Sequence, residues 1–468
     1  MAQPTSDKIK GFVSTFKGKA LTAGDPEYDS SRAVWNGAID RKPAVIARCA
    51  DAQQAASAVR FARKGGLEIS VRGGGHNYAG TAVGDGGLMV HLGAMNQVSV
   101  DTAARRVRCG GGATWGDLDA ATQSHGLATP GGIISHTGVA GLALGGGIGW
   151  LTKKAGLSCD NLLAAEVVTA DGRIVQASRD ANPDLLWALK GGGGNFGIAT
   201  SFEFALHPVG PMVQLALLFV GLESGAPALR LVQEQIDALP DDANGFLAIG
   251  MSAPPEPFVP EQYRGKIGHG VIIVGFGSPE EHAKAVAPLR DAVRPLWELV
   301  TPMPYVALQR MFDESAHWGT LAYEKALYVG SLSDGALSVI GDHVPRKKSP
   351  ISFVPTFRLS GKYLAANEAD TAFGGSRSPV YVLNIAAHIP PGAPRELYAE
   401  DRAWVRSFWD AMRPYATGAG SYVNFIADAE EDRVKASYGA EKYARLARIK
   451  REWDPDNAFH RNVNIKPA

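Results

Sequence analysis

Cysteine is scarce in this chain of 468 residues, with three in all, at positions 49, 109 and 159. They are too few and too widely spaced for a disulfide framework or a zinc ribbon, so reduced, buried thiols are expected, and no metal site. Net charge is also missing, because 47 basic residues balance 47 acidic ones. A nucleic-acid partner is therefore not expected. The one local basic cluster, Arg346-Lys347-Lys348, lies between prolines and reads as a solvated loop. No apolar run reaches membrane-spanning length, and residues 1–20 lack the apolar core of a secretory signal. A cytoplasmic protein without a membrane partner is the expectation, as a monomer or a homodimer.

Glycine is the residue in excess. Of 55 glycines, 22 lie between Gly65 and Gly147. Glycine costs backbone entropy, so such a concentration needs tight turns or a ligand lying against main chain. Residues 72–80 and 129–149 are the two stretches that suit a ligand.

The spacing of Ala55, Val59 and Ala62 predicts a helix within 42–66, followed by short strands at 68–71, 88–92, 97–101 and 105–109. Thr114 is placed to cap a helix reaching residue 124. Residues 166–175 read as a hairpin around Asp171-Gly172. Asn182-Pro183 opens a helix to Lys190, as a cap followed by proline. From about 211, long alternating strands (271–276, 380–386) are separated by helices near 229–239, 280–293 and 395–412. The expected class is α+β, with helices over one face of a largely antiparallel sheet. The tail from Ser421 reads as a short strand and then a helix near 441–452.

Gly192-Gly193-Gly194-Asn195-Phe196-Gly197 matches the dinucleotide fingerprint GxGxxG literally. That fingerprint needs a strand before it and a helix after it, so that the helix N-terminus receives the pyrophosphate. Here the order reads helix, glycines, strand, which excludes a classical Rossmann site. The stronger candidate is Arg72-Gly73-Gly74-Gly75-His76-Asn77-Tyr78-Ala79-Gly80. Successive N–H groups of a glycine turn form a concave anion site. His76 is then either a ligand contact or a structural hydrogen bonder.

Seven segments in order carry a specific likeness: Trp35-Asn36-Gly37, the Arg-Gly-Gly-Gly-His turn, residues 126–132, Gly138-Val139-Ala140-Gly141-Leu142 with Gly145-Gly146-Gly147, residues 187–197, Tyr422-Val423-Asn424-Phe425, and residues 453–459. With these the chain resembles the berberine-bridge-enzyme-like FAD-linked oxidases of the vanillyl-alcohol-oxidase fold, close to the hydroxynicotine and oligosaccharide oxidases. The resemblance implies an FAD-binding domain from residues 1–210, a substrate domain from 211–420, and a return of 421–468 to the first. It places FAD contacts at Arg72, Gly73, Gly74, Gly75, Asn77 and Gly80. Further contacts fall at Pro130, Gly131, Gly132, Thr137, Gly138 and Gly141, and at Gly145, Gly146, Gly147, Gly197, Ile198 and Asn424. His76 matches the histidine joined to the flavin 8α-methyl. Many relatives add a cysteinyl bond, but counting back from Gly138 puts Ile134 there, so a single attachment is implied.

The same likeness implies hydride transfer from an alcohol or amine carbon of a small molecule, with dioxygen or another acceptor taking the electrons. A same-fold dehydrogenase, lyase or isomerase, or an inactive FAD-binding protein, are the alternatives. Tyr78 matches a tyrosine facing substrate. If 421–425 is a strand, Tyr422 shares a face with Asn424. Phe425 stands where relatives often carry a second tyrosine, which leaves Tyr422 as the candidate base. Arg72 and Lys153 are candidate cations for stabilising its phenolate. Tyr323, Glu324, Tyr381 and His388 are candidates for the pocket wall, and Trp297, Trp318 and Trp404 for a sugar platform, each with an ordinary packing role as the alternative.

Overall fold

The computed structural model describes residues 6–428 and 431–468; the first five residues of the N-terminal stretch read for a signal lie outside them. Two small sheets come first. Val45–Arg48 and Ile69–Arg72 both run parallel to Leu88–His91, and Lys19–Leu21 closes one edge antiparallel. Helix Ala52–Gly65 makes the crossover between the parallel strands, with Asp51 capping it by accepting from Gln54 N. The helix starts later than the 42–66 pattern suggests, because Val45 and Ile46 are β-branched and are taken by the sheet.

The second sheet orders Val98–Asp101, Arg106–Gly110, Ile198–Ala205, Leu162–Val168 and Ile174–Ser178. The hairpin around Asp171-Gly172 forms, pairing Val168 with Ile174. Thr114 caps Trp115–Gln123 in a reciprocal capping box with Asp117. Asn182 precedes helix Pro183–Leu189 in left-handed conformation, but its side chain donates to Gln176 O instead of capping. The glycines after that helix lead straight into Ile198–Ala205, the order that denies a Rossmann reading.

Residues 212–389 supply a seven-stranded antiparallel sheet, in the order Trp297–Pro304, Met212–Gly221, Ile267–Gly275, Ala243–Ser252, Val354–Leu359, Val380–Ile389, Leu321–Val329. Its two faces follow strand period two. Tyr381, Leu383, Ile385 and Ala387 pack under helices Gly225–Ala238, Pro279–Val293, Asp334–His343 and Arg395–Met412. Val380, Val382 and Phe357 face the first half of the chain, against Trp150, Leu157 and Tyr422. This is the α+β arrangement expected.

Lys347 departs from the solvated loop expected at 346–348. It is buried, and its ammonium donates to Ser352 O (2.6 Å), Pro350 O (3.1 Å) and Ser252 Oγ (3.2 Å). Three oxygen acceptors make that burial tolerable, and desolvation lowers its pKa to about 8.

The chain then returns. Helices Glu431–Tyr438 and Ala440–Trp453 pack into the first core through Val434, Tyr438, Leu446 and Ile449. Lys450 and Asp454 form a fully buried pair at 2.6 Å. Lys450 Nζ also donates to Asn195 O and Phe459 O, while Asp454 accepts from the N–H groups of Ala458 and Phe459. The pair thus fastens the turn after residue 453 to the glycine segment at 192–197.

Candidate active site

The glycine turn begins where strand Ile69–Arg72 ends. Among the described residues, no hydrogen bond engages the backbone N–H groups of residues 73–77. All five residues line one cavity, so their N–H groups are available to a bound anion. The turn is pressed against a second glycine segment: a Cβ on Gly74 would stand 2.3 Å from Gly138 N, and one on Gly138 would stand 2.4 Å from Gly74 N. No other residue permits that approach. A Cβ on Gly141 or Gly194 would meet open space, and both glycines line the same cavity. A bare-backbone cradle with unpaired donors fits FAD, whose pyrophosphate needs N–H groups and whose rings need room.

His76 stacks on Trp35, ring centroids 4.7 Å apart and 16° from parallel. Its Nε2 lies 2.9 Å from His136 Nδ1. Burial, then the neighbouring His136, holds its pKa well below the usual histidine value, so the imidazole is neutral and nucleophilic. The Trp35-Asn36-Gly37 motif explains itself here. Trp35 Nε1 donates to Ala316 O, and Asn36 Nδ2 donates to both Tyr78 O and Ala322 O. Gly37 lies against the Gly319 carbonyl, where a Cβ would be 2.2 Å away. The motif ties the histidine turn to the seven-stranded sheet.

Tyr78 reaches across to that sheet, its hydroxyl 2.6 Å from His388 Nε2. Burial pulls His388 to about 4, so it is neutral, and burial with the nearby Glu324 pushes the Tyr78 phenol well up. His388 Nε2 therefore accepts and Tyr78 donates. Glu324 sits on the adjacent strand, fully buried, with Oε2 accepting from Asn384 Nδ2 at 2.6 Å. Desolvation pushes its carboxyl up to about 8.

The cavity brings together many of the residues singled out in the sequence. Gly73, Gly74, Gly75, His76, Asn77 and Tyr78 line it, as do Gly132, Thr137, Gly138, Gly141 and Gly145, and Gly197, Ile198 and Asn424. Others stand one layer back. Arg72 is not at the surface of the cavity: its guanidinium donates to Ser31 O (2.9 Å), meets His91 Nε2 (2.6 Å) and lies over Trp318. Gly80 packs on Ile39, Gly131 on Trp115, and Gly146 beside Phe373. Pro130 and Gly147 are also outside the lining.

The strand expected at 421–425 is a correction. Residues 421–425 form no strand; Val423–Phe425 is a single tight 3₁₀ turn, closed by Phe425 N donating to Tyr422 O. Asn424 is captured by the Leu142 carbonyl at 2.9 Å, which bends the segment away from extension. The Tyr422 hydroxyl is buried and accepts from Gly147 N (2.7 Å) and Asn424 Nδ2 (2.8 Å), and it does not line the cavity. Burial raises its pKa. The cations considered for it are bonded elsewhere, Lys153 to the Leu239 carbonyl and Arg72 as above.

Of the sheet candidates, His388 faces the cavity and Glu324 lies behind Asn384. Tyr323 and Tyr381 point to the helical layer, as does Trp404, while Trp297 stacks on Phe219 in the core. Trp318 is exposed near His76. Gly193 and Phe459, within segments 187–197 and 453–459, also line the cavity, and so do Arg461, Asn462, Phe312, Phe353, Phe357 and Asn384, which local pattern did not single out.

Residues 43–178 match the FAD binding domain family, and residues 421–466 the berberine and berberine-like family. The chain is 31% identical to (R)-6-hydroxynicotine oxidase of Paenarthrobacter nicotinovorans over 474 residues, covering 97% of each. Its structure superposes on 6-hydroxy-D-nicotine oxidase from Arthrobacter nicotinovorans with TM-score 0.85 and 28% identity, covering 97% and 99% of the two chains. It shares its fold with glucooligosaccharide oxidase of Acremonium strictum, a protein bearing 6-S-cysteinyl, 8α-N1-histidyl FAD, with TM-score 0.81 and 22% identity over 98% and 99% of the chains. With this fold, this glycine cradle and these matches, the chain belongs to the berberine-bridge-enzyme-like FAD-linked oxidoreductases and binds FAD.

Proposed function

We propose that this chain oxidises an alcohol or amine carbon of a small organic molecule, with FAD bonded through His76 alone and dioxygen as the final acceptor. The observation that carries the reading is that His76 and the Tyr78–His388 pair line one cavity, grouped around Trp35. When bound, FAD supplies the two-electron acceptor. The N–H groups of residues 73–77 would hold its phosphate oxygens. His76 Nε2 is engaged by His136, which leaves Nδ1 as the atom that would carry the covalent bond. Ile134 lines the cavity near the place where relatives carry cysteine, while Cys49, Cys109 and Cys159 are buried in packed cores away from it.

Proton handling falls to Tyr78. Its hydroxyl accepts the substrate O–H or N–H proton as its own proton passes to His388 Nε2, a neutral acceptor at neutral pH. Tyr422 instead fixes the Gly147 amide and Asn424. Residues 1–210 with 421–468 form the cofactor unit in this reading, and 211–420 the substrate unit.

The test begins with the denatured, precipitated polypeptide, which should stay yellow, with flavin on the His76 peptide only. His76→Ala should release all of it. Tyr78→Phe should slow anaerobic flavin reduction by roughly 10²–10⁴-fold with the covalent flavin intact. Flavin recovered entirely in the supernatant of the parent protein refutes the attachment. Peroxide-free turnover refutes the oxidase.

A further inference from the structure

The part of the cavity away from the glycine turn has a lopsided chemistry. Phe312, Phe353, Phe357 and Phe425 line it, from three separate stretches of chain. Phe312 and Phe353 lie 6.4 Å apart and 22° from parallel, Phe357 and Phe425 6.4 Å apart and 29° from parallel, and Pro355 lies between Phe353 and Phe357 in sequence. The sheet adds polar side chains: His388, bonded to Tyr78, and Asn384, four residues earlier on the same face of its strand. Ser315 also lines the cavity, but its hydroxyl is spent on Phe312 O at 2.8 Å.

Period two sets this polar edge. Asn384 and His388 are on the cavity side of Val380–Ile389, and Glu324 is on the same side of its neighbour Leu321–Val329, where it pairs with Ala386. Asn384 Nδ2 is held by Glu324 Oε2, while among the described residues Asn384 Oδ1 has no partner. The amide keeps a free acceptor, Oδ1, and one further N–H, and His388 Nδ1 is also without a partner among the described residues. This edge suits a hydroxyl or amine, a group that both donates and accepts.

A sugar unit carries a hydroxyl at nearly every carbon, and each one buried without a partner loses its hydrogen bonds to water uncompensated. Aromatic walls with one polar edge satisfy one such group, not five or six. Resting on the flavin-oxidation reading above, we propose that the site takes a flat, largely apolar ring compound carrying a single hydroxyl or amine at its reacting carbon. That group docks between Tyr78 and Asn384, and oligosaccharides are excluded.

The experiment uses the parent holoenzyme, made anaerobic. Benzylic and alicyclic secondary alcohols and cyclic amines are compared with glucose, cellobiose and xylobiose by the rate of flavin bleaching. Ring compounds should reach a kcat/KM at least 100-fold above any saccharide. Asn384→Leu, and Asn384→Ser as a smaller change, should raise KM for the best ring compound about tenfold, with a lesser effect on kcat and an unchanged flavin spectrum. Faster bleaching by a saccharide overturns the substrate class and leaves the redox reading standing. Bleaching by ring compounds with unchanged KM in both variants overturns the role of Asn384. If no compound bleaches the flavin and no ring compound perturbs its spectrum, the substrate class falls. The redox reading then falls with it, while covalent flavin on the denatured chain is read separately.

Discussion

Replacing Gly74 by alanine tests whether the cradle depends on two backbones in contact. The new Cβ would lie 2.3 Å from Gly138 N and 2.4 Å from Gly138 Cα, and both are main-chain atoms with no rotamer to swing aside. Ordinary contact needs about 3.4 Å or more, so the two segments must part by roughly 1 Å. Overpacking of this kind costs about 1–3 kcal/mol. If that cost is felt in the bound state, FAD affinity falls about 5–150-fold. A His76→Ala background makes FAD binding reversible, so the constant can be read by fluorescence quenching, with and without Gly74→Ala. Gly141→Ala is the informative contrast. Its Cβ meets no protein atom within 4 Å but lines the cavity, on helix Val139–Leu144. It should keep or raise the melting temperature of the apoprotein, through helix propensity worth about 1 kcal/mol, while weakening FAD. Gly74→Ala should lower both. Unaltered affinity and melting temperature in Gly74→Ala would refute the argument from close approach.

Tyr422→Phe leaves two buried donors, Gly147 N–H and Asn424 Nδ2, without their acceptor. It should destabilise the fold by about 1–3 kcal/mol, yet keep flavin reduction within severalfold of parent with the same pH dependence; a 100-fold slower reduction would reinstate it as base. Glu324 titrates at about 8 in the fold, against an ordinary 4.5 in the unfolded chain, so between those values only the folded state holds the proton. Stability should therefore fall as pH rises from about 4.5 to 8, by at most about 1.4 kcal/mol per pH unit. Asp119, pushed by burial to about 7, adds a slope of the same sign below that pH. Glu324→Gln should flatten the fall without abolishing it, as read from denaturant midpoints across pH; an unchanged fall would show that Glu324 is already ionised in the fold.

What the sequence exposes is what backbone chemistry dictates locally. Arg72-Gly73-Gly74-Gly75-His76 is readable because only glycine tolerates such contact, and Thr114 and Asp171-Gly172 because caps and turns are written in a few adjacent residues. Tyr422-Val423-Asn424-Phe425 is misread because its turn is imposed by the Leu142 carbonyl and the Gly147 amide, far away in sequence. Lys347 is misread for the same reason, since Ser252 is one of the oxygens that make its burial tolerable. Phe312, Phe353 and Phe357 are invisible as a site because a ring lining a cavity and a ring filling a core obey the same period. Arg72 is read as a phosphate ligand because its neighbours are; nothing local announces that Ser31 and His91 claim it.

The fastening of residues 450–465 onto the glycine segment sets an order in time. Ile198 and Phe459 line the same cavity, and Asn195 receives Ile465 N and reaches Val463 O. At a synthesis rate of about 5–20 residues per second, the roughly 260 residues between Ile198 and Phe459 take about 13–50 s to make. Throughout that interval the nascent glycine cradle is missing a wall. Cofactor capture therefore belongs after translation has passed residue 463, and the half-made protein spends its time on the ribosome as an apoprotein.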